Sequence, residues 1–279
     1  MICPETAEVE RSPVPVRVPG VASTAIHGLL TGMGAEATVL GSSSQAAWLQ
    51  AGRRVVVIST GDGARLPNSI RLAAKYGDEV LRRIASETRV LVGHGMIMVD
   101  GIAVTATRWW DPRPALPTFT SDTLTARLRG LPAGVPGIDT ASLRLALEVG
   151  SAGGVLHSAR SLLGRGPGLT PEGDDVLAGT LAATRLLGEA LGRENSVAMI
   201  AGVSPPLAEL AALRTTAFSA ALIEMAMQGQ VVESAGVLLR ALAGRGDVAA
   251  AHLGLIRLGH TSGPALAAGI VLGARSLVK

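Results

Sequence analysis

Twelve residues in the second half of the chain, Gly164 to Asp175, read GRGPGLTPEGDD and run directly into the apolar stretch VLAGTLAATRLLG. Thr170-Pro171 is a helix start. Threonine caps free backbone N–H groups, worth about 1 kcal/mol, and proline fits the first helical position. Glu172 then places negative charge in the first turn, where the helix dipole favours it. Capping does not account for the rest. Gly173 inside a helix costs roughly 0.5–1 kcal/mol against alanine, which calls for another group close against its backbone. Gly166-Pro167-Gly168 can hold several N–H groups in one concavity of the kind that binds anions. Asp174 and Asp175 both lean back toward that loop, because helical side chains tilt toward the N-terminus. Carboxylates repel a bare phosphate but share a hard cation with it. The pattern therefore points to Mg²⁺ on Asp174 and Asp175, with phosphate oxygens against Arg165, Gly166, Gly168, Thr170 and Gly173. The plainer reading is a well-capped helix with a solvated acidic end. No Gly-Lys-Ser/Thr closes the loop, so it is not a Walker P-loop.

A second turn, RLGHTSGPALAAG, leads into another apolar helix. Thr261 or Ser262 can cap that helix, Gly263 adds a backbone N–H, and His260 can act as acid, base or anion ligand. In RTTAFSAALIEMAMQG, the group Arg214, Thr215, Thr216 and Ser219 interrupts an apolar helix, and Arg214 can grip a carboxylate or phosphate with two prongs. His260 and Arg214 each have a plainer alternative, a hydrogen-bonded turn residue and a surface cation. If the two turns meet, both helix dipoles and the hydroxyls point into one anion pocket. His94 reads as a turn residue. His27, His157 and His252 lack partners at zinc-ligand spacing. Trp109-Trp110 reads as a packed connection.

The elements that would carry these turns divide the chain in two. The 279 residues are 48% hydrophobic, with 35 glycines and only 2% aromatics, so the core is built on small side chains. Residues 1–20 read as a loose arm. Residues 21–135 are β-branched and punctuated by turns, including a type I′ hairpin at Asp100-Gly101 and a helix over 78–87. Residues 136–279 read as helices near 139–163, 171–191, 205–228, 231–244, 247–258 and 264–277. The expected class is α+β: an N-terminal sheet or partial barrel, then a C-terminal α-helical bundle. The net charge of +3 comes almost wholly from scattered arginines without interleaved aromatics, which argues against a nucleic-acid partner. Cys3 is the lone cysteine, no apolar signal segment opens the chain, and LGHTSGPALAAGIVLGA is too short and polar to span a bilayer. The expectation is a cytoplasmic protein without membrane partners.

GRGPGLTPEGDDVLAG, RTTAFSAALIEMAMQGQVVE and RLGHTSGPALAAGIVLG, in that order, resemble the AllH-like family, and GDGARLPNSIRLA resembles a weaker N-terminal segment of it. The resemblance implies a subunit of an oxamate carbamoyltransferase complex in purine (allantoin) breakdown. That enzyme exchanges a carbamoyl group between oxalurate and phosphate, uses Mg²⁺ and has two other subunits. By motif position it implies one wall of Gly166, Gly168, Thr170, Asp174 and Asp175 and another of His260, Thr261, Ser262 and Gly263. Glu172 stands where the family pattern has serine, and Pro264-Ala265 where it often has a polar or acidic residue. Both departures bear on substrate or activity. A non-catalytic partner subunit, a small-anion-binding protein of the same pathway and a homo-oligomer are the alternatives.

Overall fold

The computed structural model describes residues 14–61, 63–84, 89–132 and 134–278. Its first half carries β1 (Val16–Ser23), β2 (Ala35–Ser42), β3 (Ala46–Ala51), β4 (Arg54–Thr60), β5 (Ser69–Leu72), β6 (Val90–Gly93), β7 (Met96–Val99) and β8 (Ile102–Trp110). Short helices α1 (His27–Thr31) and α2 (Ala74–Arg83) lie between them. The strands close into a barrel in the order β1-β5-β4-β3-β2-β6-β7-β8. The seam is parallel, with Val16 opposite Ile102 and Ser23 opposite Trp110. Closure needs β1, so the part of the expected arm from Val16 onward is a barrel strand; residues 1–13 of that arm lie outside the described residues. The β7–β8 hairpin turns at Asp100 (φ 39°) and Gly101 (φ 75°), as a type I′ turn requires.

β4 shows why its sequence, RVVVIST, is apolar without alternation. Val56 and Ile58 face the barrel core, while Val55 and Val57 pack outward beside Phe218. A strand covered on both faces reads as a continuous apolar run. The outer cover comes from the helical half, whose elements are α3 (Ser121–Arg127), α4 (Ala141–Glu148), α5 (Ala152–Leu162), α6 (Glu172–Ala190), α7 (Glu194–Arg214), α8 (Ala217–Met227), α9 (Glu233–Leu242), α10 (Val248–Ile256) and α11 (Ser262–Arg275).

Two expected helices divide. The stretch 139–163 breaks at Gly150, which takes φ 69° between α4 and α5. The stretch 205–228 is the end of α7 and the whole of α8, and α7 starts eleven residues earlier than Pro205-Pro206 suggested. Those prolines sit inside α7 on its exposed side, beside exposed Ala201 and Gly202, whose freed carbonyls reach water. Among the described residues, α7 is the one helix long and apolar enough by composition to cross a membrane.

α6 and α11 form the centre of the bundle and run parallel at backbone contact. A Cβ on Gly179 would strike the Leu266 carbonyl oxygen, and one on Gly269 would strike that of Val176. Thr180 Oγ1 donates to Val176 O (2.8 Å) and also to Gly269 O (3.1 Å). Gly269→Ala should therefore lower stability by about 1–3 kcal/mol in urea unfolding, because both carbonyl-bearing backbones would have to separate. Because the pair is parallel, both N-termini open at the same end of the bundle.

Candidate functional site

Three helix starts meet at that end. Thr170, just before α6, and Ser262, the first residue of α11, share a hydroxyl–hydroxyl hydrogen bond of 2.8 Å. Thr216, the N-cap of α8, accepts from Ser219 N (3.0 Å) and donates to the Leu169 carbonyl (2.6 Å). The two turns singled out in the sequence thus fold against each other. The threonine has a different task from the expected one: α6 starts at Glu172 behind Pro171, and the Thr170 hydroxyl goes to Ser262 rather than to a cap.

The adjacent carboxylates have opposite fates. Asp174 is 1% exposed and accepts from Gly164 N (2.8 Å), from Ser219 Oγ (2.7 Å) and from Thr215 Oγ1. It pins the glycine loop to the start of α8, and this is why the expected long helix breaks at Thr215. Both its oxygens are taken, so it does not fit as a metal ligand. Among the described residues, no three His, Cys, Asp or Glu side chains gather where a cation could sit. The pair therefore does not fit the magnesium site expected from Asp174 and Asp175.

Asp175 is 7% exposed, and its Oδ2 is buried without a partner. Burial pushes its carboxyl up to about 8. A hydrogen bond from Ser262 opposes the rise, and the nearby charges of Asp174 and Glu172 add to it. At neutral pH the group is mainly a carboxylic acid that can both donate and accept.

Asp175, Thr170 and Ser262 form the polar end of a cavity of about 260 Å³ between barrel and bundle. Trp48 and Leu66 wall it on the barrel side; Phe218 and Ile270 are among its helical walls, with Gln230 in the connection between α8 and α9. The Trp48 ring meets Phe218 edge-on at 6.1 Å, and Trp48 Nε1 is a second buried polar atom without a partner on this lining. A buried donor and a buried acceptor left without partners are costly, and both belong to residues that line this one cavity. Trp48 and Gln230 were not singled out in the sequence, where only the isolation of an indole within a β-rich segment marked Trp48.

The other expected site residues lie apart from the cavity. Arg165, Gly166 and Gly168 are exposed on the loop, and Arg165 donates to the Gly137 carbonyl (2.8 Å). Gly173 answers to packing: a Cβ there would strike the Leu162 carbonyl oxygen, so the close group is the chain itself. Gly263 is buried against the end of α10, where its N–H donates to Leu258 O (2.8 Å). Thr261 is half-buried at the α11 N-cap without a side-chain capping bond. His260 and Arg214 are exposed and do not line the cavity. His94 is the turn residue expected, accepting from Gly34 N at 3.0 Å.

Residues 162–274 match the family model described as oxamate carbamoyltransferase subunit AllH. The matched span is less than half of the chain, yet it holds all of α6 to α10 and most of α11. The AllH-like resemblance is thus shown over the helical side of the site. By that description the family is a subunit of oxamate carbamoyltransferase. No curated protein and no solved structure matches the chain.

Proposed function

We propose that this chain is the subunit of an oxamate carbamoyltransferase-like enzyme that holds the carbamoyl-bearing substrate, with the carboxamide end in the cavity at Asp175. The observation that carries the reading is that Asp175 and Trp48, each with a buried polar atom left without a partner, both line one small cavity. A protonated carboxyl donates to a carbonyl oxygen and accepts from an NH₂ group. It is therefore the two-point complement of a –CO–NH₂ unit, and the indole N–H adds a donor for the same or a neighbouring oxygen. The apolar walls exclude water, which strengthens each of these bonds.

The same acid suits the transfer. When a phosphate oxygen attacks the carbamoyl carbon of oxalurate, the C–N bond breaks and the departing oxamate nitrogen needs a proton. Asp175 gives its proton to that nitrogen and takes back the one that phosphate releases, so it ends the cycle protonated. Ser262, itself hydrogen-bonded to Thr170, holds the carboxyl in place. Magnesium is assigned no step here. The exposed side of α7, with Ala201, Gly202, Pro205, Pro206 and Leu213 at the surface, suits contact with another subunit.

The test compares oxamate with oxalate, which lacks the amide, by tryptophan fluorescence and calorimetry on the full chain. Oxamate should bind at least about tenfold more tightly than oxalate, since one unmatched buried group costs about 1–3 kcal/mol. Trp48→Phe should abolish the fluorescence response and weaken oxamate by about fivefold to tenfold. Equal binding of the two anions, or an unaltered oxamate affinity in Trp48→Phe, would overturn the assignment.

A further inference from the structure

A second opening lies on the far side of the wall formed by Val232 and Leu258, residues that also line the Asp175 cavity. It is a cleft of about 330 Å³ where the barrel loop after β4 meets α9 and the end of α10. Three arginines from three separate elements face it: Arg65 on the loop, Arg71 on β5 and Arg257 at the end of α10. Among its described lining residues the one acid is Glu233, and it is taken by Arg65 at 2.9 Å. That leaves two uncompensated positive charges on the lining.

The donors there exceed the acceptors. Arg71 gives one N–H to the Gly61 carbonyl and keeps the rest of its fork. Arg257 is exposed; its backbone N–H caps α10 on the Leu255 carbonyl, and none of its guanidinium donors has a partner among the described residues. Arg65 lies over the Trp110 ring at 5.5 Å, which fixes its plane, and its Nε is buried without a partner. Ser234 Oγ, in the first turn of α9, is likewise buried and unpaired. A structural role explains the Arg65–Glu233 pair, which ties barrel to bundle. It does not explain Arg71, Arg257 and Ser234 converging on the same space.

We infer that this cleft is a binding site for a small oxyanion of the phosphate class, gripped by Arg71 and Arg257 with Arg65 and Ser234 beneath. Planar guanidinium forks from different elements match the oxygens of a phosphate group, and one such anion would take up the open forks of Arg71 and Arg257. Free phosphate and the phosphoryl end of a small metabolite share this chemistry. The inference goes beyond the carbamoyl reading and stands whether or not the neighbouring cavity takes a carboxamide.

The probes are inorganic phosphate and carbamoyl phosphate, titrated calorimetrically into the full chain at constant ionic strength with chloride as the balancing anion. Wild type should bind one or both with a dissociation constant below about 1 mM. Arg257→Gln should weaken that binding by about tenfold and Arg71→Gln by at least as much, whereas the exposed Arg129→Gln should leave it unaltered. The Arg257 side chain is exposed and makes no bond among the described residues, so its variant should melt like wild type without ligand. Oxamate fluorescence should persist in Arg257→Gln, which separates this site from the cavity. Absence of phosphate and carbamoyl phosphate binding by wild type, or equal binding by Arg257→Gln and Arg129→Gln, would overturn the inference.

Discussion

Asp175→Asn should make the protein more stable at pH 8, by an amount on the order of 5 kcal/mol, and should make little difference near pH 4. The sign follows from the proton count. Unfolded, this carboxyl has its ordinary value near 3.8; folded, burial carries it to about 8. Between those values the native state keeps a proton that the unfolded state has released. Stability from this group is thus fully present below pH 4 and is lost as the pH rises, by about 1.4 kcal/mol per unit until the folded group ionises. Asparagine has nearly the same shape, keeps one donor and one acceptor, and cannot ionise, so the loss disappears. Urea unfolding at intervals from pH 5 to pH 9 gives the two slopes. Parallel profiles for wild type and variant would mean that Asp175 is ionised in the native fold, and the acid assigned to the cavity would be gone. In oxamate titrations the variant should bind within about threefold of wild type, yet lose the fall in affinity that wild type shows as pH rises through 8, because the amide mimics the protonated acid. Turnover in the assembled enzyme should fall sharply in the same variant, since an amide cannot deliver the proton.

A cost of this size in a buried group is what a binding site leaves behind when it has been kept at the expense of stability. The sequence shows part of the arrangement. Two polar turns, each opening an apolar helix, are visible at 164–175 and 259–263, and their meeting needs only that the following helices lie parallel. The small residues Gly179, Gly269 and Gly273 allow that contact, although nothing in a one-dimensional pattern states which helices share it. Which of the two carboxylates faces the cavity was out of reach. Neighbours on a helix point about 100° apart, so one of Asp174 and Asp175 had to turn toward the loop and the other toward the bundle. Which one does so depends on where α8 lies. Trp48 was hidden for a related reason: it sits some 120 residues from Thr170 in sequence and reaches the cavity only because β3 and β4 take α8 on their outer face.

The fold followed the same division between local and distant causes. The hairpin at Asp100-Gly101 and the last three helices depend on neighbouring residues and read directly. Closure of the barrel depends on Val16–Ser23 pairing with Ile102–Trp110, almost the full length of the half away, and a proline-rich run gave no sign of it. The break between α7 and α8 is distant in cause as well. Locally, RTTAFSAALIEMAMQG continues a helix; Thr215 leaves it, and with Ser219 in the first turn of α8 reaches Asp174, some forty residues earlier.

That last contact sets the other large effect. Asp174→Ala should lower the unfolding free energy by about 3–5 kcal/mol, and Asp174→Asn by roughly half as much. The carboxylate satisfies one backbone N–H and two hydroxyls in a position that water does not reach. Alanine strands all three donors and frees the glycine loop from α8. Asparagine keeps one oxygen but turns an NH₂ toward a group that is itself a donor. A metal ligand behaves in the opposite way: removing one carboxylate of a close pair relieves repulsion and leaves the apo fold as stable or more so. Urea unfolding of the full chain without added metal therefore separates the two roles. A marked loss in Asp174→Ala, with a smaller one in Asp174→Asn, makes Asp174 the clasp that holds the site's floor in shape. Unaltered midpoints would return it to the ligand shell of a cation and require the hydrogen bonds described above to be rearranged.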